Sequence, residues 1–112
     1  MSPPRDNLIP GTLNLLILKA VSAGPLHGYG ISKWILDRTT DVLQVEEGVL
    51  YPALHRLEKD GSLDSEWGRS DTGRRAKFYA LTPAGAERLA GEIERWRRTS
   101  RAVEVVIAAE GA

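Results

Sequence analysis

Cysteine is absent from the sequence, which excludes disulfides, thiolate metal sites and cysteine nucleophiles. Long hydrophobic runs are also missing: residues 13–21 form the longest one, and Asn14 and Lys19 interrupt it. That run is far shorter than the ~18 residues that a membrane-spanning helix needs. Residues 1–6 lack the basic and apolar regions of a signal peptide. We therefore expect a cytoplasmic protein without membrane contact.

An excess of positive charge is missing too, because 15 basic residues balance 15 acidic ones. Net charge thus gives no sign of the basic surface that is typical of nucleic-acid-binding domains. The charge is unevenly distributed, however. Residues 67–79 carry four basic side chains and one acidic one, whereas residues 41–66 carry seven acidic and two basic ones. Any contact with phosphate is therefore expected in the segment 67–79.

Two helices are predicted in the first forty residues. Thr12 can cap a helix whose apolar residues recur every three or four positions, and Leu15 and Leu18 widen its apolar surface. A helix with so much apolar surface is normally buried on several sides, so we expect a second chain to cover part of it. The second helix opens at His27 and Gly28.

A third helix is predicted from about Glu47 to Asp60. Leu50, Leu54 and Leu57 form its inward face, Gly61 ends it in the left-handed conformation, and Pro52 is assigned to its first turn. Three short helices joined by turns suggest a helix-turn-helix unit.

The apolar period then changes from helical to alternating. Residues 63–67 and 76–81 read as two strands around a polar turn with two glycines, which predicts a β-hairpin with a charged tip. By alternation with Leu81, Tyr79 rather than Phe78 should be the buried aromatic residue. Three helices followed by a hairpin are the element order of a winged helix domain.

One long helix is predicted to complete the chain, with Thr82 as its N-cap and Pro83 at its first position. It carries an apolar seam at heptad spacing, which is typical of a helix that pairs with a second copy. The fold class is therefore mainly α with a small β-hairpin, a winged helix-turn-helix domain over residues 1–82 and a dimerisation helix over residues 83–112. The predicted dimer interface comprises Leu15, Leu18, Leu89, Ile93, Trp96, Ser100, Val103 and Ile107.

The order of several motifs resembles the PadR family of bacterial transcriptional regulators. The segments that carry the resemblance are Gly11-Thr12-Leu13, Leu26-His27-Gly28-Tyr29, Leu50-Tyr51-Pro52-Ala53-Leu54-His55-Arg56-Leu57-Glu58 with Gly61, Gly73-Arg74-Arg75-Ala76-Lys77-Phe78-Tyr79, and Leu81-Thr82-Pro83-Ala84-Gly85. The size resembles the short subfamily, whose C-terminal part is one dimerisation helix. Val49 departs from the family, whose members usually carry Ser or Thr there. The resemblance implies a homodimeric repressor that binds a pseudo-palindromic operator and acts on its own or neighbouring genes.

Two segments are candidates for DNA contact. On the third helix, Tyr51 and His55 lie one turn apart and can reach into a major groove, with Gln44 and Gly48 as weaker candidates near its start. The alternative for Tyr51 is that its ring packs against the neighbouring helix. In the hairpin, which we call the wing, the candidates are Arg74, Arg75 and Lys77, and the alternative is a solvated basic tip.

Other functions have weaker support in the sequence. His27 and His55 lie far apart without a third ligand, so we predict no metal site. No Ser/His/Asp constellation, phosphate-binding loop or pair of carboxylates stands out, so we predict no enzyme and no cofactor. Trp96 is assigned to the dimer core. The family resemblance also implies that a planar aromatic effector can stack on a tryptophan between the two C-terminal helices. A winged helix that docks a protein instead of DNA remains a second hypothesis, because net charge is zero and the third helix is acidic.

Overall fold

Residues 11–111 are described by the computed structural model, which shows four helices and a three-stranded antiparallel sheet. The helices are α1 Thr12–Ala20, α2 Gly28–Arg38, α3 Glu47–Lys59 and α4 Pro83–Ala108, and the strands are β1 Leu26–His27, β2 Leu63–Arg69 and β3 Arg75–Leu81. Strand β3 lies between β1 and β2 in the sheet. The predicted winged helix-turn-helix architecture is confirmed, and β1 is an addition to it.

The helix ends follow from local hydrogen bonds. Helix α2 begins where His27 Nδ1 accepts the Gly30 N–H at 2.9 Å, and α4 begins where Thr82 Oγ1 accepts the Gly85 N–H at 2.9 Å. Gly61 follows α3 at a φ of +86°, as predicted for a left-handed cap. At α1 the prediction is wrong, because the N-cap is Gly11 and Thr12 is already helical.

The position of Pro52 also differs from the prediction. Because α3 begins at Glu47, Pro52 lies in the second helical turn rather than the first. Proline has no N–H, so the Gly48 carbonyl loses its usual helical donor. Both residues are exposed, which lets water bind that carbonyl. The exposed side of α3 therefore lacks one backbone hydrogen bond of a regular helix.

A single apolar core joins the helices to the sheet. Tyr79 is 6% exposed, so the strand alternation identified the buried aromatic residue correctly. Leu18 is fully buried and Leu89 is 7% exposed, both within their own chain. The prediction that Leu18 and Leu89 belong to the dimer interface is therefore wrong, because side chains enclosed by their own protomer offer no surface to a partner. Leu15 and Ile93 are partly buried against the same core.

Helix α4 has two halves with different surroundings. Its first half is held to the end of α3: Gly85 is buried against the Ser62 backbone, Thr82 Oγ1 donates to the Gly61 carbonyl at 2.6 Å, and Arg88 Nη1 donates to Asp60 Oδ2 at 2.6 Å. The second half leaves the core, and residues 101–108 are all exposed. The domain boundary at residue 82 stays a prediction, since the first half of α4 packs on the core of the preceding unit.

Two further expectations concern the membrane and the chain start. None of the helices between residues 11 and 111 is long and apolar enough to cross a membrane. The expectation for residues 1–6 falls outside the described residues.

Candidate nucleic-acid interface

The outward side of α3 is one half of the candidate interface. Leu50, Ala53, Leu54 and Leu57 are buried, so the helical repeat directs Gly48, Pro52, His55 and Lys59 toward solvent. We call these four residues the reading face. Gln44 is exposed in the segment just before α3. The structure thus places Gly48 and His55 on one open helical side, with Gln44 near its start.

Tyr51 lies at the edge of the reading face and has two kinds of surroundings. A β-carbon placed on Gly28 would lie 2.7 Å from Tyr51 Oη, so the tyrosine ring covers the first residue of α2. The side chain is nevertheless 46% exposed. Tyr51 therefore packs against the neighbouring helix α2, as the alternative predicted. The exposed part of its side chain is still available to a ligand. Gly28 has to be glycine for the ring to lie there.

The wing is the other half of the candidate interface. At its tip the Gly73 N–H donates to the Ser70 carbonyl and the Ser70 N–H donates to the Arg74 carbonyl, both at 2.8 Å. Gly73 has a φ of +82°, which a type I turn followed by a glycine bulge requires. Arg74 is exposed at this tip. The turn therefore holds a cation at the outermost point of the hairpin.

Strand alternation divides the wing into two faces of opposite charge. Ser65, Trp67 and Arg69 of β2 pair with Tyr79, Lys77 and Arg75 of β3, and these six side chains share the face that buries Tyr79 on the core. Asp64 and Glu66 project from the opposite face and are exposed. The three cations of the wing strands therefore lie on the side of the sheet that packs against the helices. We call this side the basic face.

Trp67 supports one of the exposed arginines of the basic face. The Arg75 guanidinium carbon lies 4.3 Å from the Trp67 ring centroid, a cation–π arrangement, while Trp67 itself is 58% exposed. Arg69 Nη1 donates to the Gly73 carbonyl at 3.0 Å and thereby braces the tip. Neither Trp67 nor Arg69 was among the sequence candidates, although alternation from Tyr79 would have placed both on this face.

Lys77 differs from the other cations because it binds its own chain. Its Nζ lies 2.9 Å from Glu58 Oε1 near the end of α3, and Glu58 Oε2 accepts a hydrogen bond from Ser65. These bonds lower the pKa of Glu58, with Ser65 contributing more than Lys77, and the bond to Glu58 raises the pKa of Lys77. Lys77 is thus engaged within the protomer, whereas Arg74 and Arg75 are exposed.

The two histidines have separate roles. His27 caps α2, and its ring meets Phe78 edge-on with centroids 5.2 Å apart, whereas His55 is exposed on α3. Among residues 11–111 no group of three His, Cys, Asp or Glu side chains is arranged to hold a metal ion.

Trp96 lies apart from this interface, in a groove between α1 and α4. Its side chain is 37% exposed. The groove is lined by Gly11, Thr12, Leu15, Glu92, Arg95, Trp96 and Thr99. Beyond it, Val103 and Ile107 are 50% and 68% exposed, while Ser100 is partly buried. Trp96 therefore separates the packed half of the seam from its bare half.

A helix-turn-helix unit followed by a basic hairpin defines a winged-helix protein. The model of the transcriptional regulator PadR-like family matches residues 17–91, so this chain belongs to that family. Members of the family are transcriptional regulators, which confirms that the chain is a regulator and not an enzyme.

Individual relatives agree with this assignment. The transcriptional regulator Rv3488 of Mycobacterium tuberculosis is 38% identical over 73 residues, which span 65% of this chain and 64% of that protein. A transcriptional regulator from Clostridium thermocellum is 33% identical, with a TM-score of 0.76 over 84% of this chain and 91% of that one. A PadR-like transcriptional regulator from Bacillus cereus is 28% identical, with a TM-score of 0.75 over 89% and 95% of the two chains.

Proposed function

We propose that this protein is a homodimeric repressor that binds a pseudo-palindromic DNA operator through α3 and the wing. One observation carries the proposal: the exposed cations of the basic face lie on the same side of the sheet as α3, whose reading face is open. Such an arrangement lets a helix enter the major groove while the hairpin contacts the adjoining backbone. Zero net charge is compatible with it, because the acidic side chains Asp64 and Glu66 of the wing lie on the opposite face.

The two halves of the interface have different tasks. Tyr51 and His55 present aromatic and imidazole groups that can reach base edges, and Gly48 allows close approach of the backbone. Arg69, Arg74 and Arg75 supply positive charge for phosphates, which provides affinity independent of sequence. Sequence discrimination is therefore assigned to α3, and most of the salt-dependent affinity is assigned to the wing.

The bare half of α4 supports the homodimer. Val103 and Ile107 stay exposed at heptad spacing, and Val106 adjoins them at 74% exposure. A row of this kind is stabilised when a second copy covers it, because apolar surface leaves water. Two-fold pairing would present two reading faces, and such dimers bind half-sites about 34–36 Å apart. Ile93, Trp96 and Ser100 would adjoin the partner along the same seam.

The wing assignment is tested by the salt dependence of DNA binding. A gel-shift titration with the promoter region of the protein's own gene measures affinity between about 50 and 200 mM salt, a range over which phosphate contacts change affinity strongly. Arg69→Ala with Arg75→Ala should flatten the slope of log K against log salt by about 1.8, since each lost phosphate contact contributes ~0.9. Arg98→Ala with Arg101→Ala removes two cations from exposed positions of α4 and should leave the slope unchanged. An unaltered slope in the wing variant would refute the assignment.

Docking of a protein is the competing function, and the same samples address it. If the wild-type chain is not retained on heparin or on random duplex DNA at low salt, the winged helix does not use its cations on phosphate. Transcription of a reporter behind the same promoter then tests repression: the wild-type chain should lower it and the wing variant should not.

Sedimentation velocity tests the dimer. Val103→Asp with Ile107→Asp places charges in the exposed row and should give a monomer at micromolar concentration, because an unpaired charge is costly to bury. Val105→Asp is the control, since Val105 is at least as exposed as both residues, at 71%, but lies outside the heptad seam. A wild-type chain that sediments as a monomer at this concentration would overturn the homodimer.

The groove beside Trp96 favours an effector as a second candidate function. A planar aromatic cation can stack on the exposed part of this indole. The groove also carries one carboxylate and one guanidinium, and Glu92 Oε1 lies 3.8 Å from Arg95 Nη1. Binding there would change the distance between two paired heads. Titration with flat cationic aromatics should quench tryptophan fluorescence in the wild type and much less in Trp96→Phe. Absence of quenching at high micromolar ligand would argue against the effector.

A further inference from the structure

Glu58 makes contacts that reach beyond its own helix to both strands of the wing. Its Oε1 accepts from Lys77 Nζ on β3 at 2.9 Å, and its Oε2 accepts from Ser65 Oγ on β2. One carboxylate near the C-terminal end of α3 therefore binds both strands of the wing. Its two partners are neighbours on one face of the sheet, because Ser65 pairs with Tyr79 and Lys77 pairs with Trp67, the next residue of β2 on that face.

These contacts lie where the wing leaves the core. Leu63 and Tyr79 are buried, and they anchor the base of the hairpin. Farther along the same face Trp67, Arg69 and Arg75 are more open to solvent. The Glu58 contacts begin at the outer end of the anchored base, where Ser65 pairs with Tyr79, and reach outward to Lys77, which pairs with Trp67. They are therefore placed to decide how the outer part is inclined relative to α3.

The stability of the fold is a weak explanation for the contacts of Glu58 with Lys77 and Ser65. The Glu58 and Lys77 side chains are 30% and 34% exposed, and ion pairs with that much water access contribute little to global stability. The pair also neutralises a cation of the basic face, which lowers the attraction to phosphate. An acidic side chain at this place thus reduces general affinity for DNA.

We propose that Glu58 is a positioning residue that fixes the inclination of the wing against α3, so that the basic face and the reading face engage one duplex in a single register. This inference rests on the proposed function. It assigns Glu58 to discrimination between sequences, and it removes Lys77 from the DNA contacts predicted from the sequence. Loss of Glu58 frees Lys77 for phosphate and loosens the register at the same time.

Affinities for operator and for scrambled duplex separate these two consequences. With Glu58→Ala we expect the ratio of the two affinities to fall by about tenfold, while the salt slope on scrambled DNA steepens by ~0.9, the contribution of one added phosphate contact. Lys77→Met breaks the same pair without adding a cation, so the ratio should fall while the slope does not steepen. Glu66→Ala removes the same charge from the opposite face of β2 and should leave the ratio unchanged.

A measurement without DNA makes the outcome independent of the operator. Residual dipolar couplings of backbone amides report the orientation of β2 and β3 relative to α3 in the free protein. Glu58→Ala should reorient or average the couplings of the wing and leave those of the four helices intact, whereas Glu66→Ala should change neither. If Glu58→Ala does not fold, Lys77→Met gives the same comparison.

Two results would overturn the proposal. One is a wing whose couplings are unchanged in Glu58→Ala and in Lys77→Met. The other is an equal change of affinity for operator and scrambled duplex in both variants. If the wild type binds neither duplex, the proposed function fails, and the couplings still decide whether Glu58 orients the wing.

Discussion

The junction between α3 and α4 leads to the sharpest prediction. A β-carbon on Gly85 would overlap the Ser62 carbonyl oxygen and lie 2.9 Å from Leu81 Cδ1. Backbone cannot rotate away as a side chain can, so Gly85→Ala must push α4 off the end of α3. Gly91 lies in the same helix, and a β-carbon placed on it would meet no atom within 4 Å, so Gly91→Ala is the matched control.

The two alanine substitutions should change stability in opposite directions. Overpacking against rigid backbone costs ~3 kcal/mol, and the better helix propensity of alanine returns ~1 kcal/mol, which leaves Gly85→Ala destabilised by ~2 kcal/mol. Gly91→Ala gains only the propensity contribution of ~1 kcal/mol. At ~4 °C per kcal/mol for a domain of this size, Tm should fall by about 8 °C in the first variant and rise by about 4 °C in the second.

Thermal unfolding followed by circular dichroism measures both values. Protein concentrations must be equal, because subunit association raises the apparent stability of a dimer. A Gly85→Ala variant as stable as wild type would show that α4 does not approach Ser62 as closely as described. A rise in both variants would mean that helix propensity alone governs this helix.

Two further predictions concern α3. Gly28→Ala should displace the Tyr51 ring, which lies where the new methyl group would be, and should weaken operator binding several-fold. Gly24→Ala, with open space around its β-carbon, should bind as the wild type does. Equal binding by both variants would disprove the packing of Tyr51 on Gly28. The pKa values of Glu58 and Asp60 are lowered, chiefly by hydrogen bonds to Ser65 and Ser62. These partly exposed groups therefore add a small stabilisation above pH ~4.5 and lose it as the pH falls through their folded pKa values. Urea unfolding between about pH 6 and 3 should show this decline, and a smaller decline in Glu58→Gln would identify the group.

Patterns of period and turn chemistry predicted much of this fold. The hairpin, the buried Tyr79, the left-handed Gly61 and the Thr82 cap each depend on a few neighbouring residues, so the sequence contains them locally. Strand β1 has only two residues and forms through its pairing with β3, a contact distant in sequence that no periodicity reveals.

The candidate site was less accessible to sequence reasoning than the fold. Leu18 and Leu89 carry the same apolar signal as interface residues, and only the packed structure shows that their own chain encloses them. Lys77 has the charge of a phosphate contact, but its acidic partner lies 19 positions earlier in the chain. Arg69 and Trp67 could have been found by alternation from Tyr79. The DNA contacts of Tyr51, His55, Arg74 and Arg75 stay predictions.

The hairpin begins and ends at nearly the same point of the molecule. The Thr82 N–H donates to the Ser62 carbonyl at 3.2 Å, and Leu63 pairs with Leu81 immediately beyond it. The hairpin therefore leaves the end of α3 and returns to the same place, where α4 begins. Residues can be inserted or deleted at the exposed tip without altering the angle between those two helices. The reach of the wing and the geometry of the long helix can thus diverge independently among descendants of one ancestral sequence.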